Sequence, residues 1–456
     1  VRAMTSFAKL PSIATVIAGY RDGSLTPTDV AEQSIVAVQA YESSVHAWEC
    51  FDTTRLMEQA RQATQRLRSG TAPRALEALP VGVKDIFNTA DFPTQMGSPL
   101  WEGFTPGNDA RVLYDMKRLG AIVPGKTVTA EFAVHSLGKT LNPHAPDRTP
   151  GTSSSGSAVA VATGMVPVAL GTQTAGSIIR PASFCGVWGC KPSFGLVPRT
   201  GMLKTTDSLD SVGFFVNHAA DLLPVFDAIR VHGRNFPLSH AALSDTARQA
   251  TPQQRAWRVA IVKPHVWEHV TGYANDAFNA WCAKLAAHSR FELVHATLPE
   301  PMNAAHTVHE TIYQKALAYY FKEEFKRAEL ISPVMNRLIG AGQTISVSQY
   351  EAALEEQVSL ARVMDKFFTG EAEASTTGSR FDVMLTLSTA GEAPLRSVEE
   401  APDSALMWTL THLPAVSAPV FSSPDGLPFG LQLVARRYND PSLFRFISEV
   451  EQLGLL

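Results

Sequence analysis

Helical and strand-like patterns alternate along the first half of this chain. A chain that alternates in this way builds a sheet with helices packed against both faces, an α/β fold. Residues 26–42, TPTDVAEQSIVAVQAYE, predict a helix: Thr26 can cap it, Pro27 suits the first turn, and Ala31, Ile35 and Val38 share a face. LPVGVKDIF (79–87) reads as a short apolar strand. ARVLYDMKRLG (110–120) is amphipathic, with Val112, Leu113, Met116 and Leu119 on one side and Gly120 placed to end it. AIVPGKT (121–127) predicts a buried strand and then a turn. Ser157 to Ala162 predicts a short helix of small residues, and MVPVALGTQT (165–174) a strand.

From about 250 to 375 the pattern changes to long helical runs, among them NDAFNAWCAKLAAH, HETIYQKALAYYFKEEFKRAEL and SQYEAALEEQVSLARVMDKFF. No strand is expected there, and the stretch reads as a helical insertion or cap within one domain spanning 1–456. FDVMLTLS, LPAVSAPV and the hairpin-like GLPFGLQLVA return to strand character, and SLFRFISEVEQL predicts a closing helix. Residues 370–380, GEAEASTTGSR, are the best candidate for an exposed loop.

With 45% apolar and 18% charged residues, the 456-residue chain has the material for a large core. A net charge of −4 argues against general nucleic-acid binding. No apolar stretch approaches the roughly twenty residues that span a bilayer, and the N-terminus lacks the apolar core of a signal peptide. Cys50, Cys185, Cys190 and Cys282 form no CxxC pair and read as free thiols, which suits a reducing cytoplasm.

Several strings imitate known chemistry. Gly120-x-x-x-x-Gly125-Lys126-Thr127 matches a phosphate loop, but it follows a helix pattern and Pro124 removes an N–H group. Ser136-Leu-Gly-Lys139 matches SxxK without its SDN and KTG partners. His306 and His309 lie one helical turn apart without an HExxH frame, and read as surface or packing residues. The chain has no G-x-S-x-G elbow.

Residues 151–181, GTSSSGSAVAVATGMVPVALGTQTAGSIIRP, carry a different possibility. A serine-rich run is followed by Ser177 in a turn of small residues, whose backbone N–H groups could approach a carbonyl oxygen closely. Upstream, Lys84 is flanked by Val81, Val83, Ile86 and Phe87. Burial disfavours the ammonium form, so a lysine there can become a base. The residues alone leave two readings, a base or a structural lysine paired with a buried carboxylate. A nucleophile, a relay and a base together would cleave an amide without histidine, metal or cofactor.

On these strings, together with LPVGVKDIFNTADFPTQMGS, SLDSVG (208–213) and GLPFGLQLV (426–434), the chain resembles the amidase signature family of Ser–cisSer–Lys hydrolases over most of its length. The resemblance implies a large mixed, twisted β-sheet flanked by helices. It implies Ser177 as nucleophile, Ser153 as the bridging serine with a cis peptide bond before it, and Lys84 as general base. It also implies an oxyanion hole from the N–H groups of Thr174, Ala175, Gly176 and Ser177. The expected reaction is hydrolysis of a small-molecule carboxamide through an acyl-enzyme, with no cofactor and no nucleic-acid or membrane partner. A homodimer is common in the family.

Two positions depart from the family pattern: Thr152 and Ala175 stand where glycines are usual. Thr152 and Ser154, beside the reacting centre, are expected to touch substrate. The run Ser-Ile-Ile-Arg-Pro, with TQMGS, TLNPH and SSSGSA, is similar to malonamidase-type members. There the arginine three after the nucleophile holds a substrate carboxylate, which would be Arg180 here. The alternative is that Arg180 pairs with an internal acid such as Asp210. The rival function is the amidase component of a tRNA-dependent amidotransferase. Those proteins resemble SDTGGSIRQPA around the nucleophile, whereas this chain has TQTAGSIIRPA. Tyr313, Tyr319, Tyr320 and Phe321 could line an acyl pocket or belong to the core.

Overall fold

The computed structural model describes residues 7–370 and 380–456. The expected loop at 370–380 therefore lies almost wholly outside the described residues. One eleven-stranded sheet runs through them. Its strands are β1 (Trp48–Phe51), β2 (Val81–Lys84), β3 (Gly125–Thr127), β4 (Val168–Gln173), β5 (Trp188–Lys191), β6 (Ser211–Val216), β7 (Trp257–Ile261), β8 (Phe291–His295), β9 (Val383–Leu387), β10 (Ala415–Ser422) and β11 (Pro428–Val434). Their spatial order is β1-β3-β2-β4-β6-β5-β10-β11-β9-β7-β8. Parallel pairs join β3, β2 and β4 on one side and β9, β7 and β8 on the other, with antiparallel pairs between them. The sheet is mixed, as the family resemblance implies.

Helices form where capping and periodicity dictate. Pro27–Val45 starts at a capping box in which Thr26 and Asp29 exchange side-chain and backbone hydrogen bonds. The amphipathic Arg111–Arg118 lays Val112, Leu113 and Met116 into the core, and Gly120 follows at φ 104°. Ser155–Ala162 is buried along its whole length. Such enclosure is open only to small side chains: a Cβ on Gly156 would lie 2.3 Å from the Ala47 carbonyl oxygen.

Three expectations need correction. The strand expected at the start of AIVPGKT sits instead at Gly125–Thr127, with Ile122 making only an isolated bridge to Pro80. The stretch 250–375 is not free of strands: β7 and β8 lie within it and extend the sheet. The helix expected over 309–330 ends at Tyr320, because Phe321 turns inward onto Phe132, with ring centroids 4.8 Å apart. Among the described residues no helix is long and apolar enough to cross a membrane. All four cysteines are free.

Candidate active site

Strand β2 ends on Lys84, and its parallel neighbour β4 runs to Gln173, just short of Ser177. The serine run enters the helix Ser155–Ala162, which packs beside both strands. Adjacent strands and one tightly packed helix thus bring together residues about seventy to ninety positions apart in sequence.

Lys84 is completely buried. Its Nζ stands 2.7 Å from Ser153 Oγ, 3.0 Å from Ser154 Oγ and 3.0 Å from Thr172 Oγ1. Burial pushes the lysine well below its ordinary range, opposed only in part by the charge of Asp210. As a neutral amine the lysine would have two N–H groups and one lone pair, and one of the three hydroxyls would then donate to it. The Ser154 hydroxyl donates to the Thr172 carbonyl (3.2 Å), so it can only accept from the lysine. The lone pair is left to Ser153 or Thr172.

Ser154 is fully buried, and its oxygen also accepts from the Thr172 N–H. It has no face for a substrate, contrary to expectation; it holds the lysine. The peptide bond between Thr152 and Ser153 is cis. Gly151 precedes it at φ 86°, with a Cβ at that position 2.7 Å from Pro181 Cα. No residue with a side chain fits there. Thr152 is buried, its Oγ1 hydrogen bonded to His135 Nδ1 (3.1 Å).

The turn before Ser177 is held by its own strand. Gln173 Oε1 accepts from the N–H groups of Ile178 (2.8 Å) and Ile179 (3.0 Å), while its Nε2 donates to Thr409 (3.0 Å). The Thr174 carbonyl accepts from His309 Nε2 (2.8 Å), and the Ala175 carbonyl from Thr409 Oγ1 (2.8 Å). Thr174 Oγ1 donates to Asp210 (2.9 Å), which also takes the hydroxyls and N–H groups of Thr205 and Thr206. Among the described residues nothing accepts from the backbone N–H groups of Thr174, Ala175, Gly176 or Ser177. The Ser177 hydroxyl has no hydrogen-bond partner among them either, and the Ser153–Ser177 bond that a proton relay would use is not formed in this structure.

Arg180 is buried, but Asp210 is not its partner. Its Nε donates to Asp403 Oδ2 (2.8 Å), and its Nη1 lies 3.0 Å from Glu400 Oε2. Tyr313 is buried near the site, whereas Tyr319 is exposed, Tyr320 bonds Asp207, and Phe321 is core. His309 reaches the nucleophile turn, and His306 bonds the Asp403 carbonyl (3.2 Å), so both belong to the site's frame. Sequence reasoning passed over Thr172, Gln173, Thr409, Glu400 and Asp403. For Thr172, Gln173 and Thr409 the one signal is polarity inside otherwise apolar segments; Glu400 and Asp403, in the polar run SVEEAPDS, give none.

The decoy strings resolve as structure. Lys126 is buried against Asp85 (3.0 Å) and the carbonyls of Phe87 and Pro93, and Lys139 pairs with Glu49. A cleft of about 430 Å³ lined by Glu49, Asp85, Glu102, Glu131 and Lys139 includes none of the expected site residues.

A sequence profile described as Amidase matches residues 29–444. The A subunit of the glutamyl-tRNA(Gln) amidotransferase of Anaeromyxobacter sp. (strain K) is 30% identical, over 96% of this chain and 95% of its own. Its counterpart from Chloroflexus aggregans is also 30% identical, over 93% and 92%. Among solved structures, the peptide amidase of Stenotrophomonas maltophilia superposes with a TM-score of 0.81 at 23% identity, covering 97% of this chain and 96% of that one. A protein solved in work on a vestigial complex and the origins of an s-triazine catabolic enzyme gives 0.84 at 23% identity, over 97% and 99%.

Proposed function

The chain belongs to the amidase family, and we propose on that premise that it is a serine hydrolase cleaving the C–N bond of a linear small-molecule amide. The observation that carries this is a buried lysine, pushed well below its ordinary range, 2.7 Å from Ser153 Oγ and beside a turn whose N–H groups find no acceptor among the described residues. Lys84 takes the proton of Ser153 as Ser153 takes that of Ser177. Ser177 Oγ attacks the carbonyl carbon, and the N–H groups of the 174–177 turn receive the oxyanion. The proton returns through the relay to the leaving nitrogen, and water releases the acid from the acyl-enzyme. On this reading the enzyme is cytoplasmic, needs no cofactor and forms a homodimer.

The test is a fluorophosphonate probe with mass mapping, beside an amide-library hydrolysis assay. Labelling at Ser177, lost in Ser177→Ala along with turnover, is the expected result. Turnover retained by Ser177→Ala overturns the assignment.

A second reading has support in the full-length similarity to the amidotransferase proteins. It predicts glutaminase activity that rises when a partner protein is added. Gel filtration of the purified chain, with glutamine as substrate, separates the two.

A further inference from the structure

The surroundings of Arg180 speak to which amides the proposed enzyme accepts, and this inference rests on that reading. Arg180 lies on the helix Ile179–Cys185, three residues after Ser177. Its Nη2 packs against the nucleophile turn: a Cβ on Gly176 would be 2.8 Å from it. The other two nitrogens are taken, Nε by Asp403 and Nη1 by Glu400. Both acids are themselves fixed. Asp403 Oδ1 accepts from the Ala405 N–H (2.9 Å), and Glu400 Oε1 from the Thr149 hydroxyl (3.1 Å). Their side chains are only 3% and 16% exposed, so water screens the pair poorly.

Acidic groups outnumber the fixed positive charges near Ser177. Arg180 contributes one positive charge, set against the carboxyl groups of Asp403, Glu400 and Asp210; burial pushes the Glu400 carboxyl above its usual range, and the Arg180 charge opposes this only in part. Burial pushes Lys84 well below its ordinary range. His309 is buried and held down to about 4, while enclosure and the Arg180 charge keep His135 below the usual imidazole range. An arginine so matched has no surplus charge for a substrate carboxylate. It does retain Nη2, which makes no hydrogen bond among the described residues and faces the turn that would hold the reacting carbonyl.

We propose that the Arg180–Glu400–Asp403 cluster selects for amides whose acyl part is uncharged and carries a second neutral hydrogen-bond acceptor, and rejects amides bearing a carboxylate near the scissile bond. Arg180 is in this sense a donor of fixed direction rather than an anion anchor, the reverse of the role that the resemblance to malonamidase-type members implies. A carboxylate in the same place would meet Glu400 and Asp403 within the reach of one guanidinium, in a setting where like charges repel strongly.

The test uses matched substrates on the full chain: malonamide against malonamate, succinamide against succinamate, and propionamide as the amide without a second acceptor. The expected kcat/KM is at least tenfold higher for each neutral diamide than for its half-acid, and higher for malonamide than for propionamide. Glu400→Gln, which keeps the shape and removes one negative charge, should narrow the diamide-to-half-acid ratio severalfold, chiefly through a lower KM for the half-acid. Preference of the wild-type protein for the half-acids overturns the inference without any variant, as does an unchanged ratio in a folded Glu400→Gln protein. Amide hydrolysis with the wrong charge preference defeats this inference alone. Absence of both hydrolysis and Ser177 labelling defeats the amidase reading, and this inference with it.

Discussion

A lysine wholly enclosed by protein keeps its charge only if a partner compensates the lost hydration. Three lysines of this chain, Lys84, Lys126 and Lys191, are at most 1% exposed, and their partners separate them. Lys126 has Asp85 at 3.0 Å. Lys191 faces the Pro192 and Leu413 carbonyls, with Asp440 nearby, and is lowered to about 8. Lys84, the proposed base, meets only hydroxyls. The sequence could not rank the three, because Lys126 in AIVPGKT is as apolar in context as Lys84 in LPVGVKDIF; the resemblance to a family made the choice. Two outcomes follow. Activity should fall as pH drops through the depressed pKa of Lys84, because the base becomes an ammonium; a kcat/KM profile that is flat on its acid side would contradict this. Replacing Thr172 by valine removes one of the three hydroxyls and should lower kcat by about tenfold, the worth of a single hydrogen bond of roughly 1.4 kcal/mol, while Ser177 labelling persists at a reduced rate.

At the scale of elements, the turn before Ser177 owes its shape to one side chain. Gln173 closes two backbone N–H groups beyond the nucleophile and ties them to Thr409. In Gln173→Ala those buried donors lose their partner, and unfolding free energy should drop by roughly 2–4 kcal/mol, measured by urea titration. Gly156 gives a sharper contest. Alanine is favoured over glycine in a helix by about 1 kcal/mol, yet its Cβ would sit 2.3 Å from the Ala47 carbonyl oxygen and 2.4 Å from the Val128 nitrogen. Backbone cannot yield as a side-chain tip can, so overpacking of about 1–3 kcal/mol or more wins. Gly156→Ala should unfold at lower urea than the parent; a rise in stability would contradict the contact. Elements with their own punctuation were legible: the capped helix at Pro27, the helix ended by Gly120, the β10–β11 hairpin. Strand β7 was not, since burial on nearly every side leaves Trp257–Ile261 without the alternation that marks a strand. Strand β8 is a short edge between long helices.

Across the whole molecule, the alternation of patterns foretold a sheet sheathed by helices, and the family profile and structural neighbours agree. The acidic clamp on Arg180 was beyond any local reading, because Asp403 is 223 residues away along the chain. Stability should carry the mark of the buried amine. Between its lowered folded pKa and about 10.4, the unfolded chain binds a proton at Lys84 that the native state does not. Unfolded therefore holds more protons than native, and stability rises with pH in that window. The parent should gain stability relative to Lys84→Met as pH climbs from 7 toward 10, with every other titrating group cancelling in the difference. A constant gap would mean the lysine is charged in the native protein.

The proposed bond-breaking groups all come from residues 84–177, whereas both acids that grip Arg180 lie on the short segment 400–403. Appetite and teeth are thus encoded far apart. A lineage, or an engineer, could exchange a handful of codons in that one segment and, on the proposed reading, redirect the enzyme toward differently charged diets, leaving the cutting apparatus as it is.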